Sequence, residues 1–310
     1  MTQMTPAAAR VIDPVLTEIA RGYKNNQMVA SALFPVVPVG QRGGKVISFG
    51  RESFKLYNTG RAPGGNVARI TSAHSADSYA LEEHAIAEQV PIELMEDAAA
   101  VPGIDLGRNA VARGQDVIAL RLEKQAADLA TTAATYDSAN KATLAGATQW
   151  SHASSNPITA IEAAKEVIRG KIGRRPNTLV VGGAVFAALK TNPAVIARMV
   201  YTSREIATAE ILAQLFGLDR VVVGDAVYDD GTSLVDVWGK FAILAYTETA
   251  GLADAGRPSY GYTYQLRNYP VVEQPYYDPN TRSWVYPIAD SVKPVIAGAD
   301  AGFLWTDAAA

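Results

Sequence analysis

The chain has 310 residues, 48% of them hydrophobic, a formal net charge of −3 and no cysteine. That length fits two lobes, or one lobe with long extensions, and supplies enough apolar residues for a sizeable core. The charge gives no pull toward nucleic acid or an anionic membrane, and the lack of cysteine excludes disulfides and thiol chemistry and leaves only His and carboxylates as metal ligands.

The first residues, MTQMTPAAARVIDP, lack a charged region followed by an apolar one, so no signal peptide is expected. No apolar run reaches the roughly 18 residues that a membrane span needs. The expected setting is a reducing cytoplasm, or a particle assembled there. Residues 1–13 read as a loose, Ala-rich terminus. Asp13-Pro14 then opens a short helix with Val15, Leu16, Ile19, Ala20 and Tyr23 on its apolar face. LFPVVPV, Leu33 to Val39, carries two prolines and can form only an edge strand or an extended arm.

Gln41 to Ile70 is glycine-rich and basic, with Arg42, Lys45, Arg51, Lys55, Arg61 and Arg69 against one acid, Glu52. Its strand-like pieces at 45–49 and 53–57 predict a long two-stranded excursion. Long loops within compact domains are uncommon and usually functional. The next stretch has the opposite charge: Glu82, Glu83, Glu88, Glu93, Glu96 and Asp97 occur with no Lys or Arg among them. Tyr79 to Leu94 partly alternates and predicts a strand, with Pro91 favouring an edge. Basic excursion and acidic strand are either two solvated faces or an electrostatic pair in which the arm of one subunit lies on the strand of another.

Residues 104–130 predict a helix of about 25 residues, roughly 37 Å long. Val111, Ile118, Leu122, Ala126 and Leu129 form one apolar stripe, and Leu106, Ala110, Val117 and Leu120 a second beside it. Asp105 is placed to cap the helix. Gly107 and Gly114 inside it permit a bend or a close contact. A small-residue connector (131–156) follows. Asn156-Pro157 opens a helix ending near Gly173, and Thr178 to Val181 predicts a strand. Gly182-Gly183 leads to a helix stopped by Pro193, and a further helix spans 208–217. Strands at 219–228 and 233–246 flank the turn residues Asp229-Asp230-Gly231, completing an αβααββ lobe. From about Gly251 the chain is aromatic and strand-like, with Asp278-Pro279-Asn280 in a turn.

Chemistry is sparse. His74, His84 and His152 show no metal-ligand spacing, and His74, Ser75 and Asp77 are triad types only by local adjacency. Gly43-Gly44-Lys45 lacks the spacing of a phosphate loop, and Gly182-Gly183 lacks the third glycine and ribose-binding acid of a dinucleotide site. Asp229-Asp230-Gly231 is too short for a calcium loop. Arg174-Arg175 reads as a helix C-terminal cap or a phosphate contact. Nothing assigns acid and base roles to the acidic cluster, and no cofactor or metal is expected.

The ordered set LFPVVPV, NTLVVGGAVFAALK, DRVVVGDAVY and VDVWGKFAILAY, over nearly the whole chain, resembles the major capsid proteins of tailed bacteriophages. The resemblance implies an α+β fold: N-terminal arm (1–38), extended β-hairpin loop (39–76), first peripheral segment (77–154, spine helix 104–130), axial domain (155–250) and peripheral return strands (251–310). It also implies a non-catalytic subunit that self-assembles through a procapsid into an icosahedral shell. Its partners would be identical copies in hexamers and pentamers and packaged double-stranded DNA held without sequence specificity. Separate scaffold, portal and decoration proteins complete the set. A near-neutral chain suits a wall that must not grip DNA. The family's long N-terminal scaffolding segment has no counterpart before the loop. The expected intersubunit contacts are Arg42, Lys45, Arg51, Lys55 and Arg61 of the loop with Glu82, Glu83, Glu88 and Glu93. The alternatives are an encapsulin-like nanocompartment shell and an α/β hydrolase or ligand-binding protein.

Overall fold

The computed structural model describes residues 12–22, 28–48, 60, 75–99, 105–200, 207–248 and 259–310. Helix α1 (Pro14–Gly22) starts where the Asp13 carboxylate accepts the Leu16 N–H at 2.9 Å. Its buried side chains are Thr17 and Ala20, whereas Val15 points to solvent at 69% exposure, so the expected apolar face is only partly used. Helix α2 (Ala30–Leu33) leads to strand β1 (Val36–Val39), which pairs in parallel with β11 (Gly261–Leu266) and, among the described residues, with no other strand. Leu33 and Phe34 are fully buried. Residues 28–38, assigned from sequence to an arm, are thus built into the body, because two large apolar side chains anchor them there.

Strands β2 (Gly43–Ser48) and β3 (Ser75–Ala80) form an antiparallel ladder that brackets residues 49–74. The strand-like piece at 53–57 lies outside the described residues. Strand β4 (Glu82–Pro91) follows directly. The expected continuation of this strand to Leu94 fails: Ile92–Ala99 is helix α3, whose Met95 packs against the core beneath.

Helix α4 (Leu106–Thr131) is 26 residues long, about 39 Å at 1.5 Å per residue. Asp105 caps it by accepting the Arg108 N–H at 3.0 Å. Val111, Ile118 and Ala126 of the first predicted stripe are buried, as is Ala110 of the second, whereas Val117 faces outward at 50% exposure. The two glycines serve close approach: a Cβ on Gly107 would meet the Tyr286 ring, and one on Gly114 the Ile288 side chain. The helix therefore lies flat against one face of a six-stranded sheet. That sheet is organised on β14 (Ser283–Ile296), which carries β4 along one edge and β13 (Tyr276–Asp278), β12 (Val271–Val272) and β11 in turn along the other.

The second sheet has five strands in the order β5 (Lys141–Thr143), β15 (Gly302–Thr306), β10 (Ala242–Ala245), β6 (Thr178–Gly182) and β7 (Arg220–Gly224). Around it pack α5 (Pro157–Ile172), α6 (Gly183–Thr191), α7 (Pro193–Val200) and α8 (Ala209–Phe216). Asn156 caps α5 through the Thr159 N–H at 3.2 Å, and Gly173 ends it in the left-handed region. Pro193 both stops α6 and opens α7, a helix not expected from the sequence. The two long predicted strands are each broken. At Gly224 the chain leaves the sheet, forms the separate ribbon β8 (Val227–Asp229) and β9 (Leu234–Asp236), and returns through Trp238-Gly239 to β10. Residues 302–306, within the stretch read as peripheral return strands, instead fill the gap between β10 and β5, where Leu304 and Trp305 are buried.

Candidate assembly surface

The hairpin β2–β3 is fixed to the first sheet at its root. Arg42 donates to Glu83 Oε2 at 2.7 Å and to the Tyr269 hydroxyl at 3.1 Å. The Tyr79 and Tyr264 rings stack at 4.3 Å, and burial pushes the Tyr264 hydroxyl up to about 12. These contacts tie the base of the hairpin to that sheet. Lys45 is exposed on that base. Arg51, Lys55 and Arg61 lie outside the described residues.

Each of the four predicted acidic partners has a basic partner in its own chain. Glu82 accepts from Lys293 Nζ at 2.8 Å and from Gln125 Nε2 at 3.0 Å, and these bonds hold its carboxyl below the ordinary range. Besides the Glu83 pair with Arg42, Glu88 lies 3.0 Å from Arg113 and Glu93 lies 3.4 Å from Arg282. Exposed pairs of this kind are worth roughly 0–1 kcal/mol, so exchanging one for an intersubunit partner costs little. A neighbour's cation would share these carboxylates with the basic partner each already has, or displace it.

The carboxylate of Glu123, a position outside both apolar stripes of the long helix, is buried. It accepts the Val29 and Ala30 N–H groups, each at 2.9 Å, and the Trp238 indole N–H at 2.6 Å. Burial pushes its carboxyl up, against the pull of the Ala30, Trp238 and Val29 bonds. At the other end of α2, Arg220 donates to the Ala32 carbonyl at 2.8 Å and to the hydroxyls of Thr178 and Thr247. A negative charge at the start of α2 and a positive one at its end match the helix dipole. In sequence Glu123 is one glutamate beside an apolar stripe, and it reads equally as a solvated residue.

The sequence reading placed the two sides of the β8–β9 ribbon inside the long strands 219–228 and 233–246 and not in a separate pair. Its burial alternates: Tyr228 and Val235 point inward, while Val227, Asp229, Leu234 and Asp236 point outward. Among the described residues no group of three or more His, Asp or Glu side chains is placed to hold a metal ion, and no helix is long and apolar enough to cross a membrane.

Residues 111–256 match the family model described as phage major capsid protein E. Over 303 residues the chain is 37% identical to the major capsid protein of Burkholderia phage BcepMu, spanning 95% of this chain and 96% of that one. A crystal structure of a phage-related protein from Bordetella bronchiseptica superposes with a TM-score of 0.82 at 40% identity, covering 97% of this chain and 98% of that one. At the level of fold alone, a virus-like particle from Pyrococcus furiosus aligns with a TM-score of 0.54 at 11% identity, over 94% and 95% of the two chains.

Proposed function

Since the chain belongs to the phage major capsid protein family, we propose that identical copies of it, in hexamers and pentamers, close into an icosahedral shell around double-stranded DNA. The observation that carries this reading is the 37% identity to a phage major capsid protein along nearly the full length of both chains. The chain is a virion component with the tailed-phage capsid fold, and shells of this kind are assembled from repeated subunits. The finer parts of the reading rest on residues. The presence of two separate sheets supports a division into arm, extended loop, peripheral and axial parts, in which residues 28–38, 141–143 and 302–306 join the sheets they pair with or pack against. The extended loop and the surfaces it leaves from supply contacts between copies, in which Arg42, Lys45, Arg51, Lys55 and Arg61 face Glu82, Glu83, Glu88 and Glu93 of neighbours. A formal charge of −3 suits a wall that encloses DNA without sequence-specific grip.

Assembly takes place in the host cytoplasm with separate scaffold, portal and decoration proteins, and the subunit does no catalysis. The encapsulin-like alternative is not better supported, since a relative of 37% identity along nearly the full length of both chains is a phage major capsid protein. The test is the particle mass of the expressed chain, by sedimentation and negative-stain microscopy. Closed shells in the megadalton range are expected. A species of tens of kilodaltons at every concentration and salt, with or without co-expressed virion proteins, overturns the reading.

A further inference from the structure

We propose that Asp13, Thr17 and the rest of α1 are a built-in blocker of the first sheet's outer edge, holding in each copy the place that a strand of another chain would otherwise take. The proposal stands on contacts within one copy and does not rest on the shell reading above.

In an antiparallel pair, successive residues turn their backbone N–H and C=O alternately toward the partner strand and away from it. Directly after β12, Glu273 turns toward β14, and its N–H reaches the Pro287 carbonyl at 2.9 Å. Val272 therefore turns away, and its N–H and C=O form the outer edge of β12. An edge of this kind is a template for pairing with another chain. Here both groups are taken. The Val272 N–H donates to the Thr17 hydroxyl at 3.0 Å. The Val272 carbonyl accepts the Asp13 N–H at 3.0 Å and the Thr17 hydroxyl at 3.3 Å. Ile12 stands opposite Glu273 in an isolated antiparallel bridge. Residues 12–17 thus occupy the edge as a neighbouring strand would, first with backbone and then with a side chain.

The residue types suit that task. A threonine hydroxyl inside a helix ordinarily bonds back to the carbonyl four residues earlier. Thr17 sends its hydroxyl across to β12 instead, and is buried there at 3% exposure. Asp13 fixes the helix to the same point: its carboxylate accepts the Leu16 N–H at 2.9 Å and its carbonyl the Thr17 N–H at 3.1 Å. Leu16 and Ala20 pack into the cluster that holds Val272, and Arg21 donates to the Asn268 carbonyl in the turn before β12. The neighbouring stretches of edge are defended by other means. Along β11 lies β1, whose Pro38 has no N–H to offer, and at the far edge β4 carries Glu82, Glu83, Glu88 and Pro91. At β12 the cover is a helix, which can be lifted without unpairing a strand of the sheet.

The experiment compares full-length variants at concentrations where the wild-type chain sediments as a single subunit. Thr17→Val keeps the shape and removes the hydroxyl. Thr17→Ala also removes it while improving helix propensity, so it gives the same reading if Val is not tolerated. Thr17→Ser keeps the hydroxyl. Ile168→Val, at a fully buried position of α5, loosens the chain elsewhere. Sedimentation and amide hydrogen exchange at Val272 are read. In the single subunit of the two hydroxyl-free variants that amide should exchange about tenfold faster, as for one lost hydrogen bond. Both should then associate, and in the associated species the Val272 amide should be protected again, the mark of an added strand. Thr17→Ser and Ile168→Val should stay single. Hydroxyl-free variants that remain single despite faster exchange overturn the proposal. So does association that leaves Val272 unprotected, and so does equal association of Ile168→Val, since both trace the effect to general loosening. Unchanged exchange at Val272 also overturns it, because the hydroxyl then does not hold the edge.

Discussion

Glu123 concentrates several forces in one side chain. Its carboxylate is held by three N–H donors from two distant parts of the chain and has no salt-bridge partner among the described residues. Replacing it with Gln keeps the shape but offers one acceptor oxygen and turns an amide NH2 toward a backbone donor. The cost should be about 1–3 kcal/mol, read as a lower melting temperature. The pH dependence has a definite sign. Burial raises the folded carboxyl above its ordinary value of 4.5, so the folded state binds the proton more tightly than the unfolded one. Its contribution to stability therefore falls as pH rises from the ordinary value through the raised one, and Glu123→Gln should flatten that part of the pH–stability curve. Asp290, also raised by burial despite two contacts from Gln265 Nε2, adds a term of the same sign. An unchanged curve in the Gln variant would show that Glu123 does not titrate in this range.

Among the elements, the long helix is the one whose packing depends on an absence. Gly114 lets α4 approach Ile288 so closely that no Cβ fits without a shift. Gly114→Ala should gain about 1 kcal/mol of helix propensity and lose more, about 1–3 kcal/mol, to overpacking. Net destabilisation is expected in thermal unfolding, and Ile288→Val in the same chain should return part of it. A stabilised single variant would show that the helix can slide. The helices were legible where capping chemistry marks their ends: Asp105, Asn156-Pro157 with Gly173, and Thr208 with Gly217. Helix α3 was not, because Val90 and Ile92 continue a strand-like alternation across the boundary and only tertiary packing of Met95 decides it. Nor was the break of 219–228 into β7 and β8, which depends on the Trp238 side chain lying over Gly224 from fourteen residues away.

For the whole molecule, local chemistry was readable and pairing was not. The acids at 82–93 are visible in sequence, but Lys293, Arg113 and Arg282 come from remote positions that no local pattern ties to them. The same holds for the ribbon: its turn was readable, while the outward set of Val227, Asp229, Leu234 and Asp236 needed the cross-strand register. Sheet order was the least legible feature, since β15 pairs with β10 and β5 across long stretches of chain.

That last pairing has a consequence for biosynthesis. Residues 302–306 leave the ribosome after every other strand described here, yet they occupy a middle position in their sheet, and Ala308 and Ala309 beyond them are buried as well. A nascent or prematurely released polypeptide holds that sheet open, with β5 detached and the aromatic rings of Trp150 lacking their partner Trp305. Deleting residues 302–310 should abolish cooperative melting of this half and expose it to protease, whereas trimming the exposed Ala310 alone should not. Closure of this sheet therefore waits for the strand made last among those described, and the contact between Trp150 and Trp305 forms only with it.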